Sequence, residues 1–528
     1  MPSPARSAIA VVVCAALLAA TVWLLDQFAQ YQFSAHLRDQ AARALALNAT
    51  GDTPYRWQLR RPDDIVAGRV FGAADVDFSG GELAVRSSGP ALEIGLPLTR
   101  AVDLRRFPHL QMVVESDTSA AVQAVVRERL DAPERVNAAT NVPTGAHSLM
   151  LDLAAPTWES GEHEVKPPRS AAMLRLRFNA AAGTRLRLRT IVLERITDAQ
   201  RIDLAQPPHI VDPDATVITG MPLFRLPLRQ QSQKVDIDAI SRNTNVHMPL
   251  LILLPQRGRV EQQIDLRNAV FAAQPGAILI PENAVDATFA QARDEIAAPA
   301  TAGFFASHWL WLAAYALILG YCRWHPPRAP RLRAFMEIVL TMAGPLWLIL
   351  GGHFDGNPDT LQKLLIALSL AYAISLSMRR HWQWNGSARA WLLAAAIVVF
   401  AALIGLAAHR PDDAVRAVGA GHIARYLAWA LLQQYLICAV CAERWQIVTG
   451  NAVFATYLGA LGFALMHTPN AALMLATLAG GLCWCALYLR ERALLPLAVS
   501  HAVSALVLLA LLPTDILASA EVSARFFQ

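Results

Sequence analysis

The chain has 528 residues, 55% of them hydrophobic, with a mean hydropathy of +0.33, which is too apolar for an ordinary soluble protein and identifies an integral membrane protein with room for about three domains. Its formal net charge of +5 comes from 46 basic residues, of which only Lys166, Lys234 and Lys363 are lysine, and most of the excess lies in short connections between apolar runs. That pattern marks membrane orientation and argues against nucleic-acid binding. Cys14, Cys322, Cys438, Cys441, Cys483 and Cys485 all lie in or beside apolar runs, so no disulfide framework is implied for the polar part.

The first apolar run, residues 8–25, follows Arg6 and ends before Asp26, and it is long enough to span a bilayer. No small-residue cleavage site follows it, so residues 1–26 are expected to remain as a signal anchor with a cytoplasmic N-terminus, which places residues 27–302 outside the cytoplasm. A helical pattern over Tyr31–Asn48 makes residues 27–54 a juxtamembrane stalk.

From Trp57 the periodicity changes to two. Leu110-Gln-Met-Val-Val114, Val122-Gln-Ala-Val-Val126, Leu174-Arg-Leu-Arg-Phe178 and the run Leu186–Leu193 alternate and are separated by Gly, Pro, Asp and Asn, which predicts a β-sandwich over residues 55–197. Trp158 is expected to be exposed and is the obvious stacking platform in this region. Phe78-Ser-Gly-Gly81 early, Asp103-Leu-Arg-Arg-Phe-Pro108 before a strand, and the closing arginine-alternating strands resemble the galactose-binding-like jelly rolls. That resemblance implies carbohydrate as a partner of the sandwich; the plainer reading is an interaction or spacer module. Residues 198–302 begin proline-rich and continue with a buried-strand run, Pro249–Pro255, a helix over Val260–Ala272 and a second strand at Gly276–Ile280, the pattern of a small α/β unit. Gln256-Arg-Gly-Arg259 lacks the glycine spacing of a phosphate loop and receives no chemistry.

Residues 303–528 read as a membrane domain with apolar spans near 304–322, 335–352, 361–378, 390–408, 423–442, 451–467, 471–489 and 494–512. Arg323, Arg328, Arg331 and Arg333 fall in one connection, Arg379, Arg380 and Arg389 in another, then Arg444, then Arg490 and Arg492. The alternate connections carry Asp355, Asp359, Asp412 and Asp413. This positive-inside alternation, with the anchor, predicts nine spans and an outer C-terminus. The arginine bias and the anchor point to a bacterial inner membrane.

Within these spans Gln433, Gln434, His467 and His501 are polar residues in apolar surroundings, and polar groups at membrane depth are functional candidates. The segments Gln433-Gln-Tyr-Leu-Ile-Cys438, Phe463-Ala-Leu-Met-His467 and Arg490–His501 resemble, over residues 420–512, the CPBP family of intramembrane proteases, which includes the type II CAAX prenyl endopeptidases and bacteriocin-processing enzymes. The resemblance implies an all-α polytopic membrane domain, a CPBP-like helix bundle, beside the extracytoplasmic β-sandwich and the small α/β insert. It also implies an endopeptidase in which a glutamate, with the first histidine, activates water, while the second histidine and an asparagine hold the oxyanion.

This chain departs from that pattern. Gln433 and Gln434 stand at the glutamate pair, Cys438 at the arginine, and Ala505 at the asparagine, with Ser504 one position earlier. A glutamine amide is not a base near neutral pH, and general-base help is worth roughly two to four orders of magnitude. The candidate catalytic set is therefore His467, His501, Gln433, Gln434 and Ser504, with His467 as base or with a relocated carboxylate as the alternatives: Glu337, on another helix, would have to swing inward, and Glu443 lies roughly 13 Å along the axis from Gln434. No cofactor is required; Cys438, His467 and His501 would be an acceptable zinc set if they met in one cavity. The two histidines converge only if helices are short, tilted or broken, which Gly459, Gly462 and Pro469 permit. Two functions follow: an intramembrane endopeptidase acting on membrane-associated peptides or prenylated-protein-like substrates, or a catalytically silent relative that binds peptide or lipid and recruits partners through its outer domains. Transport has no support, since no matched pair of interrupted helices is visible.

Overall fold

The computed structural model describes residues 4–196, 199–206, 208–211, 222–226, 247–297, 303–351, 359–377, 384–410, 419–513, 516–517 and 519–527. The chain divides into two compact units, one of residues 1–36, 257–264 and 300–528, the other of residues 37–256 and 265–299. Helix α1 (Pro4–Thr50) is continuous, where the sequence predicts an anchor followed by a separate stalk. Asp26 does not break it, because Gln30 one turn later donates to its carboxylate at 2.8 Å.

In the second unit the alternating segments form the strands expected of them. Strand Met173–Asn179 lies between Leu83–Leu96 and Ala120–Arg127, antiparallel to both, with Leu176 opposite Ile94 on one side and Ala124 on the other. Arg185–Glu194 joins Leu83–Leu96 to His109–Ser116, which in turn pairs with Gly145–Asp152. The described strands pair into a 12-stranded, antiparallel sheet and a separate two-stranded ribbon. The period-two pattern explains the burial: Leu174, Leu176 and Phe178 enter the hydrophobic core, while Arg175 and Arg177 face out and pair with Glu93.

Trp158 corrects the sequence reading. It is fully buried in that core, on a strand paired with Asn137 and Val165, so it offers no stacking platform. The apolar area of an indole is large enough to make core burial the favoured outcome.

The same unit holds a four-stranded parallel sheet in the order His209–Val211, Pro222–Arg225, Leu250–Leu254, Ala277–Pro281. Helices α2 (Val260–Ala273) and α3 (Val285–Ala297) follow its last two strands, and Leu251, Leu253, Ile278 and Ile280 pack against Phe289 and Ala292. Continuous apolar strands buried on both faces are what a parallel sheet requires.

The other unit is helical. After α4 (Gly303–Trp324) come α5 (Pro330–Leu350), α6 (Thr360–Ser377), α7 (Ala388–Ala408) and α8 (Ala420–Gln434). α8 runs without interruption through a π-helical segment, Tyr435–Ala442, into α9 (Glu443–Thr449). α10 (Ala452–Leu465), α11 (Ala471–Glu491) and α12 (Leu495–Leu511) complete it. Among the described residues five helices are long and apolar enough to cross a membrane: Val12–Thr50, Pro330–Leu350, Ala388–Ala408, Ile423–Thr449 and Ala471–Glu491. Thr360–Leu376, Ala452–Leu465 and Leu495–Leu511 are apolar but shorter.

Arg444 is a second correction. It is not a connecting-loop residue but a buried one inside α9, where its Nε donates to Glu337 on α5 at 2.6 Å and its Nη1 to the Val440 carbonyl at 3.0 Å. Of the other loop charges used to orient the chain, Asp355, Arg379, Arg380, Asp412 and Asp413 lie outside the described residues.

Replacing Glu337 alone, by Glu337→Met, leaves Arg444 buried without its carboxylate and is expected to cost about 3–5 kcal/mol, most of which the double variant Glu337→Met/Arg444→Met recovers. Thermal unfolding in detergent reads both; a single variant as stable as the parent contradicts the account.

Candidate functional site

Small residues let the helices carrying the site approach closely. A Cβ on Gly481 of α11 would sit 3.0 Å from the Ala460 Cα of α10, and one on Gly459 would sit 3.0 Å from the Cys485 sulfur. Close backbone approach at small residues is a common packing mode for membrane helices. It brings Phe463, at the end of α10, to Trp484 of α11 with ring centroids 6.1 Å apart.

Phe463 stands between the histidines. Its ring meets His467 edge-on at 4.8 Å and His501 edge-on at 5.5 Å, and Trp484 lies over His501 at 4.6 Å. Convergence is possible because α10 has only 14 residues and His467 follows in a turn that stays inside the protein: His467, Thr468 and Asn470 are all buried. Irregular backbone at membrane depth is tolerated when protein covers it.

The hydrogen bonds distinguish the two rings. His467 Nδ1 lies 2.8 Å from the Phe463 carbonyl, which can only accept, so Nδ1 carries the proton and Nε2 is left with its lone pair. Gln434 Nε2 lies 3.1 Å from His501 Nδ1, while Gln434 Oε1 accepts from the Cys438 thiol at 3.1 Å. The amide nitrogen can only donate, so His501 Nδ1 is the acceptor and its proton sits on Nε2. The two buried imidazoles thus hold complementary tautomers, one presenting an acceptor and the other a donor.

Gln433 and Gln434 end α8 at the start of the π-helical segment, which Tyr435 ties to α6 through a 2.8 Å bond to the Ala373 carbonyl. Wide π turns are frequent at functional sites. Here Gln433 lines a cavity of about 700 Å³, together with His467, His501 and Ser504, while Gln434 is turned into the bundle. Ser504 and, from α5, Thr341 are among the residues lining that cavity, and their hydroxyl oxygens are buried with no hydrogen-bond partner among the described residues. Orphaned hydroxyls at a cavity wall mark places where a polar ligand or water can be held.

The carboxylates proposed as substitutes are engaged elsewhere. Glu337 is held by Arg444 and, at 2.9 Å, by Arg333. Glu443 is paired with Arg492 at 2.5 Å and accepts from the Tyr488 hydroxyl at 3.1 Å. The one acid in the described cavity wall is Glu521, which sequence reasoning did not single out and which pairs with Arg525 at 2.8 Å. Cys438 and His501 are bridged by Gln434, and the second sulfur near Cys438 is Cys485 at 3.8 Å. Among the described residues no three His, Cys, Asp or Glu side chains stand together as a metal-binding group, so Cys438, His467 and His501 do not assemble into the zinc set.

Phe463 and His467 carried a recognisable sequence spacing. Trp484, Thr341 and Cys485 did not, because an aromatic, a hydroxyl and a thiol in apolar helices look like packing residues until three helices are assembled.

Gln434→Glu puts a carboxylate at a buried position whose neighbour one turn on is Cys438 and not a cation, and is expected to lower stability by about 3–5 kcal/mol. Gln433→Glu faces the cavity and should cost less; equal losses of melting temperature in the two variants would contradict this assignment.

Residues 430–507 match the family model described as type II CAAX prenyl endopeptidase, Rce1-like, a span that includes both glutamines, both histidines and Ser504. A search of curated proteins returns no match. Among solved structures, PfGH50B is similar at 14% identity and a TM-score of 0.20, over 26% of this chain and 23% of that one, so this chain spans under a quarter of its length. A variant of CBM29-2, a family 29 carbohydrate-binding module, is similar at 10% identity and 0.18, over 27% and 85%. BiXyn10A CBM1 is similar at 11% identity and 0.16, over 23% and 79%. Scores this low carry no argument about ligands.

Proposed function

From the premise that residues 430–507 carry the core of a CPBP-family, Rce1-like membrane protease, we propose that the cavity is the site of an intramembrane endopeptidase whose water is activated by a histidine in place of a glutamate. The observation that supports this best is the pair of complementary tautomers. His467 Nε2 takes a proton from water as its oxygen attacks a peptide carbonyl. His501 Nε2–H donates to the oxyanion that forms. When the C–N bond breaks, the proton on His467 passes to the departing nitrogen, so the ring returns to its starting state. Ser504 and Thr341 supply further hydroxyls to the wall, and Gln433 an amide that orients substrate or water.

The substrate class is a membrane-associated protein or peptide, including prenylated-protein-like ones, entering an apolar cavity from the lipid phase. The membrane arrangement that goes with this reading is nine spans in a bacterial inner membrane, N-terminus cytoplasmic, with residues 27–302 outside. Because Trp158 is buried, no carbohydrate role is proposed for the β-rich domain; it serves as a module for recruiting a protein partner.

A second reading, a silent relative that holds peptide or lipid without cleaving it, is favoured by one observation: both ends of the Gln434 amide are occupied by His501 and Cys438, and no carboxylate joins the histidines. Cleavage of a membrane-anchored reporter peptide by the purified chain in proteoliposomes separates the two. The endopeptidase reading expects a slow parent activity that His467→Ala lowers by about 10²–10⁴-fold and Gln433→Glu raises. Cleavage only after glutamates are restored at positions 433 and 434 would make the native chain silent.

A further inference from the structure

We propose that the cavity edge beside His467 is a binding site for peptide backbone, and that residues 519–527 of this same chain occupy it as an internal ligand. This rests on the cavity being a peptide site, as above, and adds what fills it. Thr468 and Asn470, just after the histidine, provide the recognition. Asn470 Nδ2 donates to the carbonyls of Ser519 at 2.8 Å and Glu521 at 3.3 Å, on either side of a bend at Ala520. The Thr468 carbonyl accepts from the Ser523 amide at 2.9 Å. Donor and acceptor are thus offered to backbone, without regard to side chain.

The same segment is held beyond the cavity. Ser523 Oγ donates to the Ile349 carbonyl at 2.9 Å, where the chain turns through a left-handed residue, Ser523 at φ 56°, into the short helix Ser523–Phe527. Phe526 and Phe527 are buried, and the Phe527 ring stacks on His36 of α1 at 4.3 Å, with Phe33 at 5.7 Å. Between the anchors, Ser519, Ala520, Glu521 and Val522 form part of the wall of the cavity that contains both histidines. A substrate backbone reaching His467 must displace them. The segment is held by a few hydrogen bonds and two aromatic side chains, so it can open locally while the bundle stays folded.

Labelling of a cysteine in the cavity tests this without any need for cleavage. Ala476 lines the cavity on α11, and Ala476→Cys is made in full-length protein in which Cys14, Cys322 and Cys483 are replaced by serine. Maleimide labelling in detergent is then followed in three forms: this parent, a form lacking residues 519–528, and Asn470→Asp. The last variant keeps the oxygen that caps α11 by accepting from the Leu473 amide at 3.0 Å but loses the nitrogen that holds the segment. The deletion is expected to label at least about tenfold faster, the factor given by about 1.4 kcal/mol of closure, and Asn470→Asp to fall between. A synthetic peptide of the sequence of residues 519–528 should slow labelling of the deleted form, and a scrambled peptide should not. Equal labelling of parent, deletion and Asn470→Asp overturns the proposal, as does equal protection by both peptides. A chain that shows the labelling response but never cleaves leaves the peptide site standing and overturns only the endopeptidase reading.

Discussion

The scarcity of water among packed membrane helices is the constraint from which this site follows: a polar atom there that finds no partner carries a cost. The Gln434 amide meets it at both ends, giving its N–H to His501 and taking the Cys438 thiol, and in doing so it fixes which nitrogen of His501 bears the proton. A glutamate in that place would need a buried cation, and position 438, one turn further along, is a cysteine. The bundle still contains a buried cation, Arg444, but it is matched to Glu337 outside the cavity.

Everything that brings the two histidines together is a matter of small residues and irregular backbone. Gly459 and Gly481 allow α10 and α11 to touch, and the turn 466–470 stays buried so that His467 never leaves the interior. At the end of α8, just before the π-helical stretch Tyr435–Ala442, Gln433 lines the cavity and Gln434 does not. Phe463 and Trp484 then fill the space around His501, excluding water from one side while the cavity opens on the other. In such surroundings hydrogen-bond direction, more than charge, decides what each ring can do.

The legibility of this protein in its sequence follows the strength of the periodic signals. The apolar runs match α4 to α12 within a few residues, since bilayer-length hydrophobic stretches admit few other structures. The Leu-Arg alternation of residues 174–178 and 186–189 could only place leucine inside and arginine outside. Trp158 was misread because a strand of three residues shows no alternation to say which side faces the core. Arg444 was misread because an arginine near the end of an apolar run looks like a loop marker until its partner, 107 residues earlier, is known. The spacing of His467 and His501 was visible, but their tautomers were not, for these depend on a carbonyl one turn back and an amide 67 residues away. Residues 519–527 have no periodicity, and their role comes wholly from what they lie against.

The two rings carry opposite tautomers, fixed by the Phe463 carbonyl and the Gln434 amide. Nitrogen-15 NMR of histidine-labelled protein, with His467→Gln and His501→Gln used for assignment, measures them directly. The account predicts a protonated Nδ1 with a bare Nε2 for His467, and a bare Nδ1 with a protonated Nε2 for His501. Protonated Nδ1 on His501, or the same tautomer on both rings, would contradict it.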